Sequence, residues 1–299
     1  MTPQNQDERL QRQRHPERFV KRMNSGTPST SYFLHEGELF CMADAAIPLN
    51  DDAVVQGHGI FETIAAYTGR PFALNDHIKR LACSAGRVGL QVPTSQEIHE
   101  SLQRVIEANQ LQQEPKARLR VTITGGTSNS RTFYEASLPP LHPAEARIVT
   151  LPYARNEKGA LTGIKTISYG ENTPATLFAK NQGADEGIWP NTAGQLCEGT
   201  WSNIFLRIRG GWKTPPLAAG CLPGVTRAWV LRLAGEAGIE ILEEELEMDQ
   251  LDAAGAAFLT SSLREIQPVC LINGREPAEI IPDEVIVLKQ AYREATKTS

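Results

Sequence analysis

Two kinds of apolar pattern follow each other along most of the 299-residue chain, and they constrain its fold more than any other feature. Apolar residues alternate with polar ones in Tyr32–Phe40 and Ile60–Tyr67, which predicts a strand at each position. Apolar residues recur at helical spacing over Asp76–Arg87. A second helix is predicted to begin at Thr94, where Glu97 completes a capping box. We therefore expect a mixed α/β protein.

The remaining elements extend this prediction to the end of the chain. Arg118–Thr124 and Arg147–Pro152 are predicted strands, and the Ser-, Thr-, Pro- and Gly-rich stretch 125–147 is predicted to be a long loop. Further helices are predicted over Thr173–Gln182, Val225–Ala237 and Asp283–Ala295, and further strands over Gly187–Pro190, Ser202–Arg207, Ile239–Leu246, Ala257–Thr260 and Ile266–Ile272. We divide the chain into a polar extension (1–30), an N-terminal α/β lobe (31–154) and a C-terminal lobe (155–299).

Composition excludes several classes of function. No apolar run approaches the roughly 18 residues of a membrane span. The net charge of −5 argues against a dedicated nucleic-acid-binding protein. Five widely spaced cysteines fit neither a disulfide framework nor a metal site, and the first 30 residues lack the apolar core of a signal peptide. We expect a globular cytoplasmic protein without a structural metal.

Three polar, Gly-rich segments lie between apolar strands and offer chemistry. Lys165 stands between Ile164 and a Thr-Ile pair, and an inward-facing lysine would have a lowered pKa and act as a nucleophile or base. Glu198 precedes a small-residue turn. Leu222–Arg227 (LPGVTR) opens a helix whose free N–H groups suit a phosphate. Taken singly, each feature favours an ordinary interpretation: the lysine as a surface residue, the glutamate as a solvated turn carboxylate and the helix start as a simple cap.

Together and in order, seven motifs resemble those of the class IV pyridoxal-phosphate enzymes. This group contains branched-chain aminotransferases, D-amino-acid aminotransferases and aminodeoxychorismate lyase. The motifs are GHGIFET (57–63), DHIKRL (76–81), IKTISYGEN (164–172), GADEGI (183–188), CEGTWSNIF (197–205), LPGVTR (222–227) and FLTSSLREIQPV (258–269). The resemblance implies a two-lobed fold-type IV enzyme that uses pyridoxal 5'-phosphate, with a smaller N-terminal α/β lobe, a larger C-terminal lobe and a homodimeric assembly.

The resemblance also assigns residues to the cofactor ring. Lys165 would form the Schiff base with the cofactor aldehyde, since a primary amine both forms the imine and later carries a proton. We reject Lys180, in FAKNQGADE, as the anchor because it lies in a helical stretch where long polar side chains face solvent. Glu198 would pair with the pyridine nitrogen and keep it protonated. Tyr169 would hydrogen-bond the ring oxygen.

A second group would hold the cofactor phosphate. Arg80 supplies a guanidinium that remains charged at all working pH values. The backbone N–H groups of Val225 and Thr226, the Thr226 hydroxyl, and the hydroxyls of Ser261 and Ser262 would complete the cup.

The substrate end matches the family less closely. Many relatives have a tyrosine immediately before the GxGxFE segment, where this chain has Gln56. The D-amino-acid enzymes hold the substrate carboxylate with an Arg and a His two residues apart, whereas the stretch 125–135 offers Arg131 without a histidine. The backbone N–H of Leu263 and the guanidinium of Arg264 are further candidates, although Arg264 could instead form a surface pair with its neighbour Glu265.

The expected reaction is a consequence of these assignments. We expect an aminotransferase that moves an amino group between a small amino acid and a 2-keto acid. The alternative is aminodeoxychorismate lyase, which eliminates pyruvate and releases 4-aminobenzoate. Both reactions require the same lysine, glutamate and phosphate cup, so the motifs that hold the cofactor do not separate them.

Overall fold

The computed structural model describes residues 31–126 and 128–298, so the predicted polar extension (1–30) lies outside the described residues. The first part of the chain forms a six-stranded antiparallel sheet in the order β2-β1-β6-β5-β3-β4. Its strands are β1 (Tyr32–His35), β2 (Glu38–Cys41), β3 (Gly59–Tyr67), β4 (Arg70–Pro71), β5 (Ala117–Thr124) and β6 (Arg131–Ser137). Its helices are α1 (Asp52–Val55), α2 (Leu74–Val88) and α3 (Ser95–Ala108).

Helices α2 and α3 cover one face of this sheet, as their apolar spacing predicts. Leu102 and Ile106 of α3 and Leu81 of α2 are buried in one cluster with Leu119 and Val121 of β5. Burying a side chain of this size contributes about 1.5–3 kcal/mol, so the apolar stripes fix both helices on the sheet. The predicted capping box at the start of α3 is confirmed by reciprocal bonds between its Ncap threonine and the glutamate at N3.

The second part of the chain forms a mixed eight-stranded sheet in the order β12-β11-β10-β13-β14-β7-β8-β9. Its strands are β7 (Ala146–Thr150), β8 (Glu186–Pro190), β9 (Leu196–Gly199), β10 (Asn203–Ile208), β11 (Gly211–Thr214), β12 (Ile241–Glu243), β13 (Ala256–Ser261) and β14 (Glu265–Ile272). Its helices are α4 (Asn172–Asn181), α5 (Val225–Glu236), α6 (Met248–Asp252) and α7 (Asp283–Thr298). The result is the expected mixed α/β fold with two lobes.

The passage between the two sheets lies earlier in the chain than the boundary drawn at 154/155. Strand β7 pairs in parallel with β14 and with β8, so it belongs to the second sheet. The connection between the sheets therefore runs through residues 138–145.

Two predicted strands have different extents in the structure. The alternation in Tyr32–Phe40 predicts one strand, but Glu36 (φ 49°) and Gly37 (φ 76°) form a tight turn that folds this segment into the β1–β2 hairpin. Of the predicted strand Ile239–Leu246, only β12 pairs, in parallel with β11. Alternation reports which residues are half-buried and does not locate a turn inside the pattern.

The long loop predicted over 125–147 is wrong, because it contains β6. This strand lies inside the first sheet, where it pairs with both β5 and β1. Its sequence, RTFYEAS, is polar at every position except three, and only Tyr134 and Ala136 are buried. The strand is stabilised by pairing on both sides, which its composition does not show.

Contacts between the lobes are extensive. The indole N–H of Trp229 in α5 donates to Asp76 Oδ2 in α2 at 3.0 Å. Phe72 packs in the same apolar cluster as Tyr292 of α7, with ring centroids 5.2 Å apart. The Tyr67 hydroxyl donates to Glu265. Among the helices of the described residues, none is long and apolar enough to pass through a bilayer.

Candidate active site

A cavity of about 1090 Å³ lies where the two lobes meet. Strands β3 and β5 and helix α2 contribute to its wall from the N-terminal lobe, residues 140–143 contribute from the connection between the sheets, and the C-terminal lobe contributes the rest. Among its lining residues are all but one of the predicted site residues, namely Arg80, Lys165, Tyr169, Glu198, Val225, Thr226, Ser261, Ser262, Leu263 and Arg264. The exception is Arg131, which begins β6 and is not among the lining residues.

The segment that carries Lys165 is held against the start of β3. The Phe61 backbone N–H donates to the Lys165 carbonyl at 2.8 Å, and the Ile167 N–H donates to the Gly59 carbonyl at 3.0 Å. A Cβ atom on Gly59 would lie 2.6 Å from Ile167 Cδ1. The glycine in the GHGIFET motif therefore allows the lysine-bearing segment to approach the sheet closely.

The Lys165 amine lies inside the cavity, with Nζ 4.6 Å from the centroid of the Phe61 ring. Burial, helped by the positive charge of Arg80, lowers the pKa of Lys165 to about 8, although Glu62 and Glu198 act in the opposite direction. A substantial fraction of this amine is neutral near pH 8 and can act as a nucleophile. Lys180, on α4, is exposed. This difference in burial favours Lys165 over Lys180 as the anchor.

Glu198 lies near the end of β9 and is 9% exposed. Its Oε2 accepts a hydrogen bond from the Leu222 N–H at 2.8 Å, and its Oε1 lies 3.6 Å from Arg155 Nη2. Burial raises the pKa of Glu198, whereas Arg155 and the Leu222 N–H favour its charged form. Because burial disfavours the charged form of Glu198, a further cationic or N–H group next to the carboxylate would stabilise that form.

Tyr169 packs between two aromatic rings on the cavity wall. Its ring centroid lies 5.3 Å from that of Phe61 and 5.0 Å from that of Trp201. Burial first, and Glu198 second, raise the pKa of Tyr169 to about 12. Its hydroxyl therefore stays protonated at neutral pH and can donate a hydrogen bond into the cavity.

The start of α5 offers the unpaired N–H groups of a helix end. Its Ncap residue, Gly224, provides no side-chain cap, so the first backbone N–H groups, from Val225 onward, have no intrahelical acceptor. A Cβ atom on Gly224 would lie 2.0 Å from Asn203 Oδ1, and Asn203 Nδ2 donates to the Leu222 carbonyl. Asn203 thus supports the backbone of this turn.

Two threonines on the cavity wall indicate a missing partner. The hydroxyl oxygens of Thr200 and Thr260 are buried and form no hydrogen bond within the described residues. Such groups cost free energy unless a ligand or water satisfies them. The same cavity contains the free N–H groups at the start of α5 and the guanidinium of Arg80, which donates to the Pro223 carbonyl just before that helix. These donors are of the kind that binds a phosphate.

Arg264 forms a buried ion pair. Its Nη2 lies 2.5 Å from Glu186 Oε2, and its Nη1 donates to Gln267 Oε1 at 3.0 Å. The side chains of Arg264 and Glu186 are 7% and 0% exposed. Glu265 instead contacts Lys116 and Tyr67, so the surface pair considered for Arg264 does not exist. A contact of Arg131 with substrate stays a prediction that no cavity contact supports.

Sequence reasoning missed three arginines of the cavity, namely Arg155, which lies beside Glu198, and two arginines of β5. Arg118 and Arg120 line it from β5, and the guanidinium of Arg120 stacks 3.8 Å from the Phe61 ring centroid. The signal was present, because two arginines spaced by two in RLRVTIT must face the same side of a strand. The side that faces the cavity was not readable without the sheet order.

Comparison with known proteins supports the same family. The model of "amino-transferase class IV" matches residues 59–272, which is more than half of the chain. The chain is 33% identical over 245 residues to a putative branched-chain-amino-acid aminotransferase of Methanocaldococcus jannaschii, covering 78% of this chain and 84% of that protein. It is 30% identical over 243 residues to the aminodeoxychorismate lyase of Bacillus subtilis, covering 77% and 83%.

The fold comparison agrees. The crystal structure of a branched-chain aminotransferase from Thermoproteus uzoniensis with norvaline superposes with a TM-score of 0.81 at 27% identity, covering 90% of this chain and 96% of that one. The family match, the identity to relatives over most of their length and this likeness in fold all agree. The chain belongs to the class IV aminotransferase family.

Proposed function

We propose that this protein binds pyridoxal 5'-phosphate and transfers an amino group between a small amino acid and a 2-keto acid. The observation that carries the proposal is a buried lysine, Lys165, with a pKa lowered to about 8, in one cavity with Glu198 and the open start of α5. When bound, pyridoxal phosphate supplies an aldehyde that captures amines and a ring that takes up electrons from the substrate α-carbon.

In this proposal some residues of the cavity bind the cofactor and one, Lys165, reacts with it. Arg80, the N–H groups of Val225 and Thr226, and the hydroxyls of Thr226 and Ser262 bind the phosphate, with Ser261 beside them. Glu198 holds a proton on the ring nitrogen, and Tyr169 donates to the ring oxygen. Lys165 would be the nucleophile toward the cofactor aldehyde, and its amine would carry a proton to and from the substrate α-carbon.

A hydrogen bond within the turn limits how the Ser261 hydroxyl can contact the phosphate. Its Oγ accepts a hydrogen bond from the Arg264 N–H at 3.3 Å, so one of its lone pairs is used within the turn. Its hydroxyl hydrogen remains available to donate.

Aminodeoxychorismate lyase is the second candidate function. The observation in its favour is the 30% identity to the Bacillus subtilis lyase over 77% of this chain. A lyase would use the same lysine, glutamate and phosphate cup, and would differ only in the step after removal of the α-proton. Bound cofactor therefore tests both candidates, whereas products separate them.

We also propose a homodimer and a cytoplasmic location. Apolar side chains of segment 39–55 are exposed, among them Leu49 (86%), Val55 (64%) and Val54 (52%). Several exposed apolar side chains within one short segment suit a contact with a second subunit. All five cysteines are free thiols, which fits a reducing compartment.

The lysine assignment has a direct test. We predict that Lys165→Ala abolishes covalent capture of pyridoxal phosphate, whereas Lys180→Ala leaves it intact because Lys180 is exposed on α4. Borohydride reduction followed by peptide mass spectrometry locates the modified lysine in the wild-type protein and each variant. Capture that survives in Lys165→Ala and disappears in Lys180→Ala would overturn the assignment.

A further inference from the structure

A buried carboxylate lies behind the arginine that faces the proposed phosphate site. Glu62 of β3 is 1% exposed, and its two oxygens accept from Arg80 Nε at 2.8 Å and Arg80 Nη2 at 2.7 Å. Phe61 and Thr63, its neighbours in the strand, line the cavity, whereas Glu62 does not. Because side chains alternate along β3, Glu62 points to the face opposite the cavity, toward α2, where it contacts Arg80.

His77 completes the support of this carboxylate. The His77 ring lies one helical turn before Arg80 on α2, and its Nδ1 is 2.8 Å from Glu62 Oε2. Because an ionised carboxylate only accepts, this imidazole nitrogen carries the proton. Burial raises the pKa of Glu62, but Arg80 and His77 outweigh it and hold that pKa well below its usual range. The carboxylate is charged at every working pH, and burial keeps His77 neutral by lowering its pKa.

The hydrogen-bond inventory of Arg80 shows what remains for a ligand. A guanidinium has five N–H donors. Two are used on Glu62, and one on Nη1 is used on the Pro223 carbonyl at 3.0 Å, just before α5. Within the part of the chain that the structure describes, two donors remain, one on Nη1 and one on Nη2. Because three hydrogen bonds fix the plane of the guanidinium, the direction of each of these two N–H groups is fixed as well.

We infer that Glu62, supported by His77, is a positioning residue that orients Arg80 for the phosphate of the cofactor. This inference rests on the proposed function. Glu62 also neutralises Arg80 while the phosphate site is empty, so that the buried guanidinium is never without a partner. Glu62 reaches the phosphate site through its bonds to Arg80. Its charge also raises the pKa of Lys165, an effect that does not depend on the phosphate group.

The experiment compares two probes that differ only in that group. Pyridoxal phosphate and pyridoxal are titrated into the cofactor-free full-length protein. The dissociation constant of pyridoxal divided by that of pyridoxal phosphate measures the phosphate contribution. We expect Glu62→Gln to reduce this ratio by about tenfold or more, the scale on which losing an outer hydrogen-bond partner weakens a bound group. Any effect of the lost charge on Lys165 is common to both probes and cancels in the ratio. In an Arg80→Gln background, Glu62→Gln should cause no further reduction of the ratio.

Two outcomes would overturn the inference. An equal loss of affinity for both probes would mean that Glu62 acts on the fold or on Lys165 and not through the phosphate contact. Unchanged affinity for both probes would mean that Arg80 is oriented without Glu62. Glu62→Gln could fail to fold because it leaves Arg80 buried without its carboxylate. In that case Glu62→Asp is tested against the same criteria, since it keeps the charge but moves the carboxylate away from Arg80 by one methylene. Wild-type protein that captures no pyridoxal phosphate would instead refute the proposed function itself.

Discussion

At the scale of single residues, the environment of Lys165 determines how the cavity reacts. The lowered pKa is a consequence of burial together with the nearby charge of Arg80. A lysine in water would be almost fully protonated at the same pH and therefore a poor nucleophile. The chemistry thus depends on where the fold places the amine.

This environment predicts a pH dependence. A lysine with a lowered pKa is protonated below that value and neutral above it, so capture of pyridoxal phosphate by the cofactor-free protein should accelerate as pH rises and level off above about pH 8. Stopped-flow absorbance measures the rate, and Lys165→Ala provides the background. A rate that continues to rise steeply up to the pKa of an ordinary lysine would contradict this prediction.

The buried carboxylate gives a second residue-scale prediction. Glu198→Gln retains the shape of the side chain and its bond from the Leu222 N–H, but it removes the charge that would keep the ring nitrogen protonated. We expect the variant to bind cofactor and to turn over about 10²–10³ times more slowly, the scale of one preorganised electrostatic contact. Steady-state rates at saturating cofactor test this, and normal turnover would mean that another group protonates the ring.

Residues that carry chemistry differ in how well the sequence predicts them. Lys165 and Glu198 stand inside motifs, and their neighbours in sequence identify them. Arg120 and Arg155 line the same cavity, but their contacts join residues that are distant in sequence. Arg155 is 43 residues away from Glu198 along the chain, yet it lies beside that carboxylate and stacks on the Trp189 ring. Such pairings depend on sheet order, which the sequence of one chain does not reveal.

At the scale of elements, glycines determine how closely the lysine-bearing segment packs. A Cβ atom on Gly59 would meet the Ile123 carbonyl oxygen at 2.8 Å in addition to Ile167. The backbone oxygen cannot rotate away as a side chain can. The segment that carries Lys165 would therefore have to move.

The resulting prediction has a matched control within the same lobe. Gly59→Ala should lower the free energy of unfolding by about 1–3 kcal/mol, as overpacking does, and weaken capture of pyridoxal phosphate. Gly86→Ala in α2, where a Cβ atom meets nothing within 4 Å, should be neutral or stabilising because alanine favours a helix. Denaturant unfolding compares the two. Equal stability of both variants would show that Gly59 is not needed for the close packing.

Periodicity predicts most elements well and fails where pairing outweighs composition. Helix α2 begins and ends within a few residues of its predicted bounds, and α3 begins directly after its predicted cap, Thr94, because their apolar stripes are regular. Strand β6 was missed because its composition resembles that of a loop. Its stability comes from β5 and β1 on either side, and that information is distant in sequence.

At the scale of the whole molecule, the cavity depends on contacts that join the two lobes. Arg80 of the N-terminal lobe donates to the Pro223 carbonyl beside α5, and Lys116 donates to the Leu263 carbonyl in the turn after β13. Each contact fixes a part of the proposed phosphate or substrate region to the opposite lobe. The site therefore belongs to the assembled molecule and to neither lobe alone.

The most direct test of the proposed function is an absorbance measurement on the purified, pyridoxal-phosphate-loaded protein during addition of L- and D-amino acids. We predict that certain donors convert the bound cofactor to its pyridoxamine form, that the matching keto acid is released, and that a 2-keto acid restores the original spectrum. A bound cofactor that no donor converts, with pyruvate released from aminodeoxychorismate, would transfer the assignment to the lyase. A protein that shows no bound cofactor after incubation with pyridoxal phosphate would contradict both candidate functions.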